Sequence, residues 1–378
     1  MPRLFGMLHV AGVGRGRRRR SAGVPVTAGT GLVIAGVIAA MAASTATAPT
    51  ASAGPYTAGN ASMVARLTGP GAINDTIGRH DIVGTDLGVM WDNGRGEILT
   101  AFGDTQSING WSLLYGDMFY WRSNVLLRST DRNLADGMTF TSHAGPRGHA
   151  KRLLKPDLRR EITIIPTSGI AANGKQYLNV MSVRRWGQPG SWVTNWSGLV
   201  ASTDNGANWR EVNAFRPNGG GNRKFQMTAL LKVGDTVYTY GTPDGRGGAA
   251  YLARVGQRDI EKLGAYEYFS AGRWVRNNPD AATPVMRAPN GEMSVAWNDY
   301  LGKYVSLASS AGGAVMRTAD NPWGPWSAPD VIATATNPYT GYAPFIHPWS
   351  KGNSLYFTYS ISLGYQVYLM KVTLRKPG

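Results

Sequence analysis

Cysteine is absent from these 378 residues. That excludes a thiol nucleophile, a thiolate metal site and a disulfide framework. Histidine is nearly absent too, with five in the chain and four after residue 53: His80, His143, His149 and His347. Their spacing matches no transition-metal ligand set. Oxygen ligands for a hard cation such as calcium would leave little spacing signal, and no metal or other cofactor is expected. There is no Gly-x-Ser-x-Gly elbow for a serine hydrolase. Long helical periodicity is missing, and no apolar run reaches the roughly 20 residues of a membrane-spanning helix. Acids are few, 23 against 39 Lys and Arg, for a formal charge of +16. That surplus does not read as a nucleic-acid surface. The charges are scattered between strand-like runs, with Lys151-Arg152 and Arg159-Arg160 as the densest groups, rather than gathered with stacking aromatics on one face.

What is present divides into two unlike parts. Arg15 and Arg17 to Arg20 form a basic head, an Ala/Gly-rich apolar run covers Gly31 to Ala43, and a Thr/Ala/Pro stretch ends at Ala51-Ser52-Ala53. Basic, apolar and small-x-small in that order predict a secretory leader over residues 1–53, cleaved after Ala53. An uncleaved anchor would need a longer, less alanine-rich core, and no bulky apolar pair follows the Arg-Arg pairs as twin-arginine export prefers. Losing residues 1–53 removes six arginines and no acid, taking the formal charge to about +10. A basic exported protein suits an anionic cell envelope. The expectation is a secreted or envelope-associated monomer with no stable membrane insertion and no nucleic-acid partner.

Residues 54–378 read as one large all-β domain. Short apolar runs such as Gln176–Met181, Val237–Tyr240, Tyr304–Leu307 and Leu355–Tyr359 recur between Gly, Asn, Asp and Pro clusters. Asp259–Leu263 is the best candidate for a single helical turn. About 325 residues without a linker suit a propeller of four-stranded blades better than a sandwich, and five blades of about 65 residues are preferred over six. Ser202-Thr203-Asp204-Asn205-Gly206-Ala207-Asn208-Trp209 fits S-x-D-x-G-x-x-W, the Asp-box turn of sialidase-like and other propellers. In it Asp ties the turn, Gly supplies a positive φ and Trp packs beneath, so Asp204 is structural. Arg317–Trp326, with Gly324-Pro325-Trp326, is a degenerate cousin.

The chemistry concentrates near the start of the domain. Asp86 lies in Gly84-Thr85-Asp86-Leu87-Gly88 and Asp104 in Phe102-Gly103-Asp104-Thr105, each at the end of a short apolar run. Asp92-Asn93-Gly94-Arg95-Gly96 between them reads as a hairpin turn, which brings both acids to one end of one hairpin. Asp beside Gly is ordinarily a turn residue or strand cap. Two carboxylates facing one cleft are also what glycosidic cleavage needs, one as acid and one as base or nucleophile. Asp75 and Asp81 sit in the preceding loop, where a rim or capping role is expected. Glu292 opens an alternating strand and is a possible third acid, either catalytic or tuning a pKa, or else an ordinary strand-start residue. Gln226 and Arg246 are candidates for sugar hydroxyls or for fixing loops. Trp121, Tyr342 and Trp349 could stack on sugar C–H faces or belong to the core. His347, before Pro348, fits a site base, a ligand of a central ion or a packed loop residue.

The segments TDLGVMWDNGRGEILTAFGDT, GEMSVAWNDYLGKYVSL and GYAPFIHP resemble an actinobacterial family long described only as a domain of unknown function and now as endo-acting D-arabinanases. The resemblance covers about residues 60–374. It implies a five-bladed propeller that cuts α-D-arabinofuranosyl linkages of arabinogalactan and lipoarabinomannan, with the two family carboxylates at Asp86 and Asp104. Analogy with other five-bladed furanosidases implies inversion, and which Asp is the acid is left open. Two other readings stand beside this one: a non-catalytic propeller that binds envelope polysaccharide, and a sialidase-like glycosidase. The latter would want three arginines around a carboxylate and a tyrosine nucleophile.

Overall fold

A computed structural model describes residues 56–107, 120–334 and 341–376. The expected leader and its cleavage point lie outside the described residues. Five antiparallel sheets follow one another along the chain, each built from an inner strand outwards. Blade 1 runs Leu87–Asp92, Ile98–Phe102, Val125–Ser129 and Ser142–His143. Blade 2 is Thr163–Ala172, Lys175–Trp186, Trp192–Ser202 and Arg210–Pro217. Blade 3 starts at Met227–Val233, blade 4 at Met293–Asn298 and blade 5 at Gly341–Ile346. Each inner strand packs against that of the next blade, and the fifth returns to the first. This is the expected five-bladed β-propeller.

The ring is closed by sequence-distant strands. Thr57–Ala58 and Ser62–Arg66 both pair with Gln366–Arg375, so residues from the start of the domain complete the last blade. Four hydrophobic clusters fill the spaces between and within blades. The first two strands of blade 1 are buried on both faces, which explains why Leu87–Trp91 and Ile98–Phe102 read as continuous apolar runs rather than alternating ones.

The Asp box forms as its sequence predicts. Ser202 Oγ donates to Asp204 Oδ1 at 2.8 Å, and the Asn208 backbone N–H donates to the same oxygen at 2.8 Å. Gly206 has φ 79°, and Trp209 Nε1 closes the turn on the Gly206 carbonyl at 3.0 Å. Asn205 then joins two blades, since it donates to Glu97 at 2.7 Å and accepts from Asn93 at 2.8 Å. The helical expectation at Asp259–Leu263 shifts to two short 3-10 turns, Gln257–Asp259 and Leu263–Ala265. A five-residue α-helix, Thr76–His80, was not expected; Asp75 caps its start and Asp81 its end. That is the capping role expected of these two acids.

Candidate active site

The hairpin of blade 1 places Asp86 and Asp104 together. Leu87 pairs with Phe102, and the Gly103 N–H donates to the Asp86 carbonyl at 3.2 Å. Asp92–Gly96 turns at the opposite end, closed by Asn93 N–H on the Glu97 carbonyl at 2.9 Å. The two carboxylates line one cavity of about 360 Å³ at the centre of the propeller. Its wall also includes Arg246, Glu292, Tyr342 and Tyr365, with the hairpin tip Trp186–Trp192 at its mouth.

Local backbone strain aims these groups. Directly after Asp86, Leu87 has φ 70° and Gly88 φ 80°, and the strand register shifts there. Directly after Tyr342, Ala343 has φ 56°, again at a register shift. A bulge of this kind re-aims the adjacent side chain, and a positive φ at Leu or Ala persists only where neighbours hold it. Serines from the preceding blade do so: the Leu87 N–H donates to Ser360 Oγ at 2.7 Å, and the Ala343 N–H to Ser309 Oγ at 2.8 Å. A Cβ at Gly103 would overlap Asp86 Oδ1 and lie 3.0 Å from Leu87 Cδ1, so any larger residue there would displace the Asp86 carboxyl.

Both carboxyls are pushed far above the ordinary range. Asp86 rises to about 7, first through burial and further through the charge of Glu292, while hydrogen bonds from the Tyr342 and Tyr365 hydroxyls and the charge of Arg246 oppose the shift. The Tyr342 hydroxyl donates to Asp86 Oδ2 at 2.9 Å. Asp104 rises to about 8, through burial and then the charge of Asp86, opposed by hydrogen bonds from Thr163 and Trp121. Thr163 Oγ1 donates to Asp104 Oδ1 at 2.6 Å. Mutual repulsion means that ionising one carboxyl holds the proton on the other.

Glu292 behaves differently. Burial raises its carboxyl, but the Arg246 guanidinium outweighs burial and holds it below the usual range. Arg246 grips it with Nε 2.9 Å from Oε2 and Nη2 2.7 Å from Oε1. The same guanidinium lies 4.6 Å from the centre of the Tyr342 ring. Glu292 therefore reaches the site as a fixed anion that tunes Asp86 and anchors Arg246.

Of the other expected residues, some reach the cavity and some do not. Tyr342 lines it, with its hydroxyl committed to Asp86. Trp121 pairs with Gln106 in a two-stranded ribbon outside the cavity lining, and its part in the site is to oppose the rise of the Asp104 carboxyl. Gln226 is a correction: it is fully buried, accepts from Thr194 Oγ1 at 2.8 Å and donates to the carbonyls of Asn222 and Arg216. With its amide so occupied it fixes a loop. His347 and Trp349 do not reach the cavity: for His347 the packed-loop alternative holds, and for Trp349 the core one. Both follow the far end of the inner strand of blade 5, on the other side of that strand's length from Tyr342. There Trp349 Nε1 donates to Asp92 at 2.6 Å, and His347 is buried and held down at about 4 by that burial. Among the described residues, no cluster of three or more His, Asp or Glu converges as metal ligands would. Tyr365, Trp186 and Trp192 were missed by the sequence reading. They lie in turns or at a hairpin tip, where nothing in the local pattern marks a central wall.

The profile of a family described as "Domain of unknown function (DUF4185)" matches residues 71–371. Notoamide biosynthesis cluster protein J of Aspergillus sp. (strain MF297-2) is 31% identical over 324 residues, covering 80% of this chain and 85% of that protein. In structure, a candidate hydrolase from Bacteroides ovatus superposes with a TM-score of 0.55 at 12% identity, over 78% of this chain and 87% of the other. The exo-beta-1,3-galactanase of Phanerochaete chrysosporium superposes with a TM-score of 0.50 at 13% identity, over 82% of this chain and 64% of the other. At such identities these structures establish the shared propeller fold.

Proposed function

We propose, for a chain that belongs to the DUF4185 family, that the cavity is the active site of a glycoside hydrolase and that Asp86 and Asp104 are its two carboxyls. The observation that carries this is their shared cavity, in which both are driven into the neutral range while Glu292 stays ionised. A glycosidase needs one carboxyl protonated and its partner ionised at working pH. Two tyrosine hydroxyls and Arg246 favour the anion at Asp86, whereas Asp104 feels the charge of Asp86 and keeps its proton. Asp104 then protonates the leaving glycosidic oxygen as the bond to the anomeric carbon breaks. Asp86 serves the opposite side, activating water or attacking that carbon directly.

The substrate we infer is α-D-arabinofuranosyl polymer of a mycobacterial-type envelope, arabinogalactan or lipoarabinomannan, cut internally by an exported enzyme. Support comes from the sequence resemblance over about residues 60–374 and from the basic character that remains after the expected leader. The fungal relative's name states a biosynthetic cluster and no reaction. The test is a panel of arabinogalactan, lipoarabinomannan, xylan and β-1,3-galactan incubated with the protein, with released oligosaccharides separated by chromatography. Arabino-oligosaccharides from the first two alone are expected. Release only from xylan or galactan would overturn the substrate, and binding without release from any polymer would favour a recognition propeller.

A further inference from the structure

We propose that Trp186 forms a sugar-binding subsite at the mouth of the cavity, taking a ring of the polysaccharide that lies beyond the bond being cut. The inference rests on the glycosidase reading and adds to it a site outside the carboxyl pair. Several large apolar side chains are exposed among the described residues, but of these only Trp186, half exposed, also lines the cavity. An indole left half in water at the entrance to the carboxyl-bearing cavity gains by being covered, and the C–H face of a sugar covers it while its hydroxyls remain solvated.

The platform is held rigid before any ligand arrives. Trp186 pairs with Trp192 on the last rung of the hairpin between the second and third strands of blade 2. Trp192 is buried, and its ring meets that of Trp186 edge to face at 6.0 Å and 76°. The tip is closed by Gly187 N–H on the Ser191 carbonyl at 2.9 Å and Ser191 N–H on the Gln188 carbonyl at 2.8 Å. It is pinned to blade 3 by the Arg246 N–H on the Gly190 carbonyl at 2.9 Å. A fixed aromatic surface costs little conformational freedom on binding. Lying at the mouth and not among the carboxyls, it serves a chain that extends out of the cavity.

Trp186→Ala and Trp186→Tyr are compared with the wild type on polymeric arabinan and on a short arabino-oligosaccharide. For Trp186→Ala, kcat/KM on the polymer is expected to fall about fivefold more than on the oligosaccharide, through KM, the scale of one aromatic contact. Trp186→Tyr should restore most of that difference. Equal losses on both substrates, or a loss confined to kcat, would mean that Trp186 only supports the hairpin and would overturn the proposal. If the wild type cuts no arabinan, the arabinan reading of the substrate fails by itself. The subsite is then read from retardation of the folded proteins in arabinogalactan-containing native gels. Weaker retardation of Trp186→Ala than of wild type sustains it, and equal retardation overturns it.

Discussion

Removing one hydroxyl should move the pH profile of this site without altering its shape. Tyr342→Phe keeps the ring beneath Arg246, 4.6 Å from the guanidinium, and deletes only the donor 2.9 Å from Asp86 Oδ2. A hydrogen bond to a charged group contributes about 1.5–3 kcal/mol, and each pKa unit is worth about 1.4 kcal/mol. The Asp86 carboxyl should therefore rise by about 1–2 units above its wild-type value near 7. Asp86 works ionised, so the rate climbs as pH passes through its pKa. Asp104 works protonated, so the rate falls as pH passes about 8. The wild-type profile is thus a bell with its top between about 7 and 8. In the variant the rising limb moves to higher pH, and activity at pH 7 drops by about tenfold. Initial rates of reducing-sugar release from arabinan, taken from pH 5 to 10 in constant ionic strength, measure this. A uniform loss at every pH with the rising limb in place would refute the assignment of Asp86 as the ionised partner.

Three other outcomes follow from the same geometry. Asp104→Asn should be more stable than the wild type at pH 8, because burial makes the ionised carboxyl costly. A carboxyl with a raised folded pKa contributes stability below its unfolded value near 4 and loses it as pH climbs to about 8. The gap between variant and wild type in urea unfolding should therefore widen by up to about 1.4 kcal/mol per pH unit across that window and close near pH 4. Gly103→Ala should lower stability by about 1–3 kcal/mol in the same assay, through overlap with Asp86 and Leu87. Deleting residues 56–66 strips two strands from the Gln366–Arg375 edge. It should yield protein that aggregates on sizing columns, as an open sheet edge does.

The sequence reached furthest where structure is local. The blade 1 hairpin and the Asp box are each written within about twenty residues, so turn chemistry and strand pattern placed Asp86, Asp104 and Asp204 correctly. The rest of the site is assembled by ring closure. Tyr342 meets Asp86 across 256 positions and Arg246 meets Glu292 across 46. No spacing rule identifies such partners. Gln226 was misjudged because its amide is consumed by a loop whose conformation no local pattern shows. His347 and Trp349, each left open between the site and packing, resolve to packing because strand direction carries them from the cavity end, where Tyr342 lies, to the Asp92 end. The missed Trp186 sits in an Arg-Arg-Trp-Gly segment that reads as an ordinary hairpin end.

The measurement that tests the central claim most directly is digestion of purified mycobacterial arabinogalactan by wild type, Asp86→Asn and Asp104→Asn, with each variant first shown to be folded by circular dichroism. The account predicts a ladder of arabino-oligosaccharides from the wild type and a loss of initial rate of about 10²-fold or more in each variant. Wild-type rates retained in either folded variant would contradict the paired-carboxyl site.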